Sequence, residues 1–319
     1  MTSGTGRILV TGALGQIGSE LTAELRNRCG AENVVASDIK DVQDNGVVRG
    51  GPWTLLDVTD PEAVEAVIGG NDIDTVYHMA AILSATGENN PQLCWNVNMN
   101  GTLNVLETAR KNGLSKVIVP SSIAAFGPET PRQDTPQETV LKPKTMYGVT
   151  KVSGELVGDY YVKKYGLDVR GLRYPGIISS ETLPGGGTTD YAVDIYYKAI
   201  QEGSYTCFVK KDTMLPMIYM PDCIKATLDL ADADFQGLVH HCDFNVGALS
   251  VTAEDIALSI RKHIPDFQVE YEPDYRQGIA DTWPQSVDDS AARDEWGWSP
   301  DWDLESMTAD MLKKLRRKL

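Results

Sequence analysis

Tyr147 and Lys151 stand four residues apart in Thr-Met-Tyr-Gly-Val-Thr-Lys, which spans 145–151. On a helix, that spacing sets two side chains on one face. One arrangement packs the ring inward and leaves the amine in water. The other lets the ammonium favour the phenolate, so that a phenol of ordinary pKa about 10 can take a proton nearer neutral pH. Two more side chains would complete such a device. Ser122, in KVIVPSSIAAFG (116–127), offers a hydroxyl to hold a substrate oxygen. Asn98, in NVNMNGTLNVLETARKNG (96–113), can help carry a proton away through water. Taken singly, a strand-end serine caps a turn and a mid-helix asparagine faces solvent. They become chemistry only if one fold gathers all four.

The first forty residues supply the frame. RILVTGALGQIGSELTAELRNRCGAENVVASDIK (7–40) reads as strand, glycine turn, helix and strand, with Ile17, Leu21 and Leu25 at helical spacing. Gly12, Gly15 and Gly18 permit a tight turn that brings backbone amides against a pyrophosphate at the helix N-terminus. Gly12, Leu14, Gly15, Gln16, Ile17 and Gly18 are therefore expected to line a dinucleotide. Asp38 ends the next strand. A carboxylate there accepts hydrogen bonds from a ribose diol and repels a 2′-phosphate, which selects NAD over NADP, although Lys40 nearby pulls the other way.

The alternation continues. WTLLDVTD (53–60) predicts a third strand ending at Asp57, with Asp57 and Val58 beside the cofactor, followed by a helix over 61–68. DTVYHMAA (74–81) predicts a fourth strand ending at Ala80 and Ala81, small enough to let a cofactor approach the backbone. The stretch 96–113 reads as an amphipathic helix, and 116–127 as a fifth strand ending near Ser122. Strands separated by helices argue for an α/β fold with a doubly wound parallel Rossmann sheet. Ligands in such sheets bind beyond the carboxyl ends of the strands. This domain is expected over 1–173 and again over 209–247, where FNVG (244–247) reads as a late strand; 174–208 and 248–319 would form a smaller substrate-binding lobe. An oxidised nicotinamide in that cleft would add a second positive charge beside Tyr147.

Composition excludes several classes. With 42% apolar and 23% charged residues over 319, the chain reads as globular rather than disordered or fibrous. A net charge of −16 repels phosphate backbones and anionic bilayers, so neither nucleic acid nor membrane is expected as a partner. No apolar run approaches the roughly 20 residues that span a bilayer. Only MTSGTGR precedes the first strand, which points to a cytoplasmic protein. Five scattered cysteines, without CxxC or HxxxH, predict reduced thiols and no metal site.

Four segments together, TGxxGxxG at 11–18, NVNMNGT at 96–102, SSIAAFG at 121–127 and YGVTK at 147–151, resemble the extended short-chain dehydrogenase/reductases along essentially the whole chain. That resemblance implies a triad of Ser122, Tyr147 and Lys151 assisted by Asn98, with Lys151 also bonding the nicotinamide ribose. It further implies a homodimer through the helices near 96–113 and 147–165. LRYPGIIS (172–179), LPGGGTTDYAVDIYYKAI (183–200), LPMIYMPDCIKATLDL (215–230) and DTWPQSVDDSAARDEWGW (281–298) resemble the short-chain type of L-threonine 3-dehydrogenase. Tyr174 and Pro175 are accordingly expected beside the cofactor.

The implied reaction oxidises L-threonine at Cβ, giving 2-amino-3-oxobutyrate and NADH. Ser84 and Thr188 are the hydroxyls expected on the substrate carboxylate, and Asp190 the balance to its ammonium. Each has an alternative: Ser84 as a loop residue, Thr188 and Asp190 as caps of the helix beginning near Tyr191. The glycines at 185–187 would let that loop close over the substrate. Trp283 is either a core aromatic or a gate to the pocket. The rival activity is a nucleotide-sugar epimerase or dehydratase on the same fold. It would carry basic residues for a diphosphate, whereas 174–208 offers only Lys198 against Glu181, Asp190, Asp194 and Glu202. A non-catalytic NAD sensor is a third reading, against which the intact Ser122, Tyr147 and Lys151 speak.

Overall fold

The computed structural model describes residues 6–42, 44–183, 185 and 187–319. Its main sheet is parallel: β1 (Arg7–Thr11), β2 (Val34–Asp38), β3 (Trp53–Leu55), β4 (Ile73–His78), β5 (Lys116–Ile118), β6 (Ser121–Ser122), β7 (Val169–Arg170) and β8 (Leu172–Tyr174). The order is β3-β2-β1-β4-β5-β7, with β1 central. Residues 119–120 link β5 to β6, and Gly171 links β7 to β8. Val119 N–H still donates to Arg170 O (2.8 Å), so the sheet runs on through β6 and β8 to β12 (Phe244–Asn245).

Both faces are buried, which parallel sheets with crossover helices require. Ile8 and Val10 of β1 face the core shared with α1 (Gln16–Cys29), while Leu9 faces the opposite one. The same alternation places Val34 and Ala36 on the first side and Val35 on the second. On that second side lie α2 (Pro61–Gly70), α3 (Gly101–Asn112) and α4 (Met146–Tyr165), through Val64, Ile68, Val105, Leu106 and Tyr161. Asp60 caps α2 by accepting from Glu62 and Ala63 N–H, with Pro61 at its first turn.

A second layer of structure covers the carboxyl end of the sheet. There β9 (Gly176–Ile178), β11 (Met214–Tyr219) and β13 (Leu249–Thr252) form a small mixed sheet, and β10 (Ser204–Cys207) pairs with β14 (Gln268–Tyr271). Tyr191, Tyr196, Ile256, Phe267, Met311 and Leu315 build its core. The expected return of 209–247 to the main sheet therefore splits. Met214–Tyr219 pairs within the small sheet, while the helix Met220–Asp232 and the strand Phe244–Asn245 rejoin the large one. Trp298, within 248–319, also packs with the large sheet's core and donates its indole N–H to Gly247 O at 3.0 Å.

The second strand ends at Asp38 as read, but the third, fourth and fifth are shorter than the sequence reading. The third stops at Leu55 and the fourth at His78, and Pro120, which has no N–H to donate, interrupts the fifth. Asp57 lies past its strand, where its carboxylate accepts from Thr59 N–H and O–H at 2.9 and 2.8 Å.

Candidate active site

The first turn of the fold is a cradle. Gly12 has φ +63°, and a Cβ there would stand 2.6 Å from Ala80 N. A Cβ on Gly18 would collide with Gly12 O, so α1 starts closer to β1 than any side chain allows. Asp38 locks the turn: its Oδ2 accepts Leu14 N–H and its Oδ1 accepts Lys40 N–H, both at 3.1 Å. Each oxygen keeps a lone pair that can meet a ribose diol. These residues fit an NAD pyrophosphate and ribose, which they would hold with backbone amides at the helix N-terminus and a fixed carboxylate.

The cleft above this turn is lined by Gly12, Gly15, Gln16, Ile17, Gly18, Ala81, Lys151, Tyr174 and Pro175 of the expected cofactor residues. Leu14 and Asp38 sit together at its edge. Asp57, Val58 and Ala80 do not line it; Ala80 faces a smaller cavity behind Lys151. The cleft also takes Gly187 of the expected loop, and His78, Met79, Leu83, Pro120, Ser121, Ile123, Gly176, Ile177 and Thr189, which the sequence did not single out. Their signal is positional: most directly follow or flank a strand end.

Ser122, Tyr147 and Lys151 share one wall of that cleft. Local packing explains how. Thr145 caps α4 by accepting Gly148 N–H at 3.1 Å, and a Cβ on Gly148 would strike Ala124 O and stand 2.5 Å from Pro143 Cβ. The start of α4 thus presses on the turn after Ser122, whose side chain comes within hydrogen-bonding reach of the phenol. Lys151 Nζ donates to Pro120 O at 2.7 Å and lies 5.3 Å from the Tyr147 ring centre.

The electrostatics correct one expectation. Burial pushes the Tyr147 phenol up to about 12, against a lowering by Ser122, and Lys151 does not reverse it. Burial also lowers Lys151, to about 8. The two groups share one desolvated wall, so in the protein alone the phenol is neutral at pH 7.

Asn98 is buried rather than facing solvent. It sits in a π-helical turn, Asn96–Asn100, ahead of α3. Its Oδ1 accepts Ile82 N–H at 2.8 Å; its Nδ2 donates to Ile82 O and Thr150 Oγ1, both at 3.1 Å. The amide is spent clamping the loop after β4 to α4.

Behind the triad, Arg173 makes a bidentate bridge to Glu155 at 2.9 and 2.8 Å, with side chains only 2% and 5% exposed. Arg173 also reaches Gln137 O (3.0 Å) and Asn245 Oδ1 (3.2 Å), and Ser121 donates to Glu155. This network fixes α4, one turn past Lys151, to β6 and β8. Nothing in the sequence reading flagged it.

The opposite wall comes from distant segments. Ser84 and Thr188 are 3% and 1% exposed, and their hydroxyls lie 3.1 Å apart. Thr188 therefore does not cap the helix Tyr191–Gln201. Asp190 occupies that helix's N-cap position without a side-chain cap bond; its Oδ2 accepts Gly187 N–H at 2.8 Å. Trp283 belongs both to the small lobe's core and to the cleft lining, with its carbonyl held by Arg132 Nε at 3.1 Å. Of the loop glycines, 186 lies outside the described residues, as does Pro184.

Comparison with known proteins agrees with this geometry. Residues 8–247 match the NAD dependent epimerase/dehydratase family. An uncharacterized epimerase/dehydratase of Staphylococcus haemolyticus is 50% identical over 313 residues, covering 98% of each chain. The crystal structure of L-threonine dehydrogenase from Clostridium difficile superimposes with a TM-score of 0.96 at 50% identity over 98% of each chain. A monomeric L-threonine 3-dehydrogenase from a metagenome does so at 0.94 and 50%, over 98% of this chain and 99% of its own. Glycine cradle, aspartate, cleft and sequence thus lead to one assignment: the chain belongs to the NAD-dependent epimerase/dehydratase family, among the extended short-chain dehydrogenase/reductases, and its cofactor is NAD.

Proposed function

We propose that the protein is a metal-independent L-threonine 3-dehydrogenase that oxidises L-threonine to 2-amino-3-oxobutyrate. The observation that carries this reading is the composition of the cleft: Ser84 and Thr188 pair their hydroxyls within it, and Lys151 is the only cation among its described lining residues. Two hydroxyls suit the carboxylate of a small zwitterion, whereas a sugar diphosphate calls for arginine or lysine. The likeness to threonine dehydrogenases supports the same choice over a nucleotide-sugar epimerase.

NAD, which the glycine turn and Asp38 would hold, would supply the hydride acceptor and a positive charge in the cleft. Tyr147 removes the hydroxyl proton as general base, and that charge, with Lys151, opposes the burial that holds the phenol at about 12. Ser122 donates to the substrate oxygen as it gains charge. Lys151, anchored on Pro120 O, holds its charge next to the phenol and binds the ribose. Asp190 faces the ammonium, and Trp283 helps exclude water.

We also propose a homodimer through the helices near 96–113 and 147–165, where Leu103, Val149, Leu156 and Tyr160 are exposed apolar side chains. Light scattering across a dilution series tests it; a monomer at every concentration contradicts it. The activity is tested by treating the purified enzyme with chelator and offering NAD with L-threonine or UDP-glucose. NADH formation with threonine alone supports the reading. Turnover of the nucleotide sugar, or loss of threonine oxidation on chelation, overturns it.

A further inference from the structure

Gly176 opens β9, pairs with Met217 of β11, and is buried at the edge of the cleft beside Pro175. Glycine in a paired strand often marks the close approach of another group. Here two side chains occupy the space a Cβ would take. It would collide with Met217 Sδ and stand 2.7 Å from Thr189 Cγ2 and 2.9 Å from Thr189 Cβ. Thr189 is thus seated in a notch that exists because residue 176 has no side chain.

The notch holds more than one residue. On one side of Thr189, Thr188 pairs its hydroxyl with Ser84 at 3.1 Å and donates its N–H to Ser84 Oγ at 3.4 Å. On the other, Thr189 O accepts Ala192 N–H at 3.0 Å, which ties the turn to the helix Tyr191–Gln201. Tyr191, Ala192 and Val193 are buried, so the start of that helix cannot retreat without opening a packed core. Met217 is fully buried in the same core, whereas Thr189 is half-buried at the cleft. A side chain at 176 would therefore displace Thr189 first. Ser122 pairs with Tyr174, two residues before Gly176, so both lie on the sheet side of the cleft. A turn pushed off Gly176 moves away from Ser122 as well.

We propose that Gly176 is a positioning residue that sets the length of substrate the cleft accepts. By seating Thr189 it holds Thr188 against Ser84, and so fixes the span from that hydroxyl pair to Ser122 and Tyr147. The span suits a hydroxy acid whose carbinol carbon lies two bonds from its carboxylate carbon, as in threonine. An acid with one more methylene between them is rejected.

Only the kinetic arm of the test rests on the threonine dehydrogenase reading. Crystal structures without substrate should show the Ser84–Thr188 hydroxyls, 3.1 Å apart in the wild type, drawn beyond hydrogen-bonding reach in Gly176→Ala. Adding Thr189→Ala, which removes the crowded Cγ2, should bring them back together. With NAD saturating, Gly176→Ala should raise KM for threonine about tenfold, lower kcat less than about threefold and leave NAD affinity unchanged. Competition against threonine by 3-hydroxybutyrate and 4-hydroxypentanoate reads the span. The wild type should favour the shorter acid, and Gly176→Ala should shift the ratio of inhibition constants about fivefold toward the longer one. Thr189→Leu, which overfills the same notch from the cleft side, should give the same shifts if Gly176→Ala does not fold. A hydroxyl pair that stays in place with an unchanged ratio overturns the proposal, since Met217 alone would then have yielded. So does a fall in NAD affinity larger than the rise in KM, since Gly176 would then serve the cofactor. If threonine is not turned over at all, the function reading fails and the crystal structures still decide whether Gly176 seats the turn.

Discussion

The two walls of the cleft are built in opposite ways. The cofactor wall is backbone from one short stretch, Gly12 to Gly18, steadied by Asp38 twenty residues on. The substrate wall is side chains from places far apart: Ser84 and Thr188 meet across 104 residues, and Trp283 arrives from later still. A wall of backbone is specified by what is missing, the Cβ atoms of glycine. A wall of side chains is specified by long-range packing, and one hydroxyl can be changed without disturbing its frame.

Removing what the walls share should have the largest effect. Arg173→Met leaves Glu155 buried without its cation, which costs about 3–5 kcal/mol. Urea unfolding should report that loss directly; a change below about 1 kcal/mol would mean the network does not hold α4. Next comes the cofactor wall. Gly12→Ala places a Cβ 2.6 Å from Ala80 N at φ +63°, and overpacking of roughly 1–3 kcal/mol predicts a 10- to 100-fold loss of NAD affinity by titration calorimetry.

The substrate wall should respond more gently and selectively. Ser84→Ala and Thr188→Ala each remove one hydroxyl of a buried pair, for about 1 kcal/mol or a severalfold rise in KM for threonine, with NAD affinity unchanged. Because the two side chains touch, the double variant should cost less than the sum. If either substitution weakened NAD instead, the division into two walls would collapse.

A further effect concerns pH. The folded pKa of Lys151 is about 8, below its ordinary 10.5, so below pH 8 both folded and unfolded chains hold the proton and the buried charge carries its full cost. Between about 8 and 10.5 the folded protein sheds that proton first, and stability should rise with pH. Comparing urea midpoints of wild type and Lys151→Met across that window isolates the contribution: the variant should lack the rise. Equal slopes would contradict the shift.

How much of this was legible follows the same division. The glycine turn, Asp38 and the strand–helix alternation could be read because local sequence and local geometry coincide there. Tyr147 and Lys151 were readable as a pair, but their electrostatics were not: desolvation outweighs the ammonium, and burial is a property of the whole fold. Asn98 was placed correctly in a helical stretch, yet its π-helical turn and its grip on Ile82 depend on the loop packed against it. The Arg173–Glu155 bridge escaped notice because nothing in either residue's neighbourhood announces its partner. Reading 116–127 as one strand passed over Pro120, whose missing N–H cannot serve a central ladder and which divides it.

The most direct test of the central claim, that Tyr147 is the base of a threonine-oxidising cleft, is NADH formation from L-threonine by wild type and Tyr147→Phe at matched NAD saturation. The account predicts brisk wild-type turnover and a loss of about 10²–10⁴ in kcat for the variant, with NAD binding preserved. A Tyr147→Phe enzyme that keeps most of its activity, or a wild type that binds NAD and leaves threonine untouched, would contradict it.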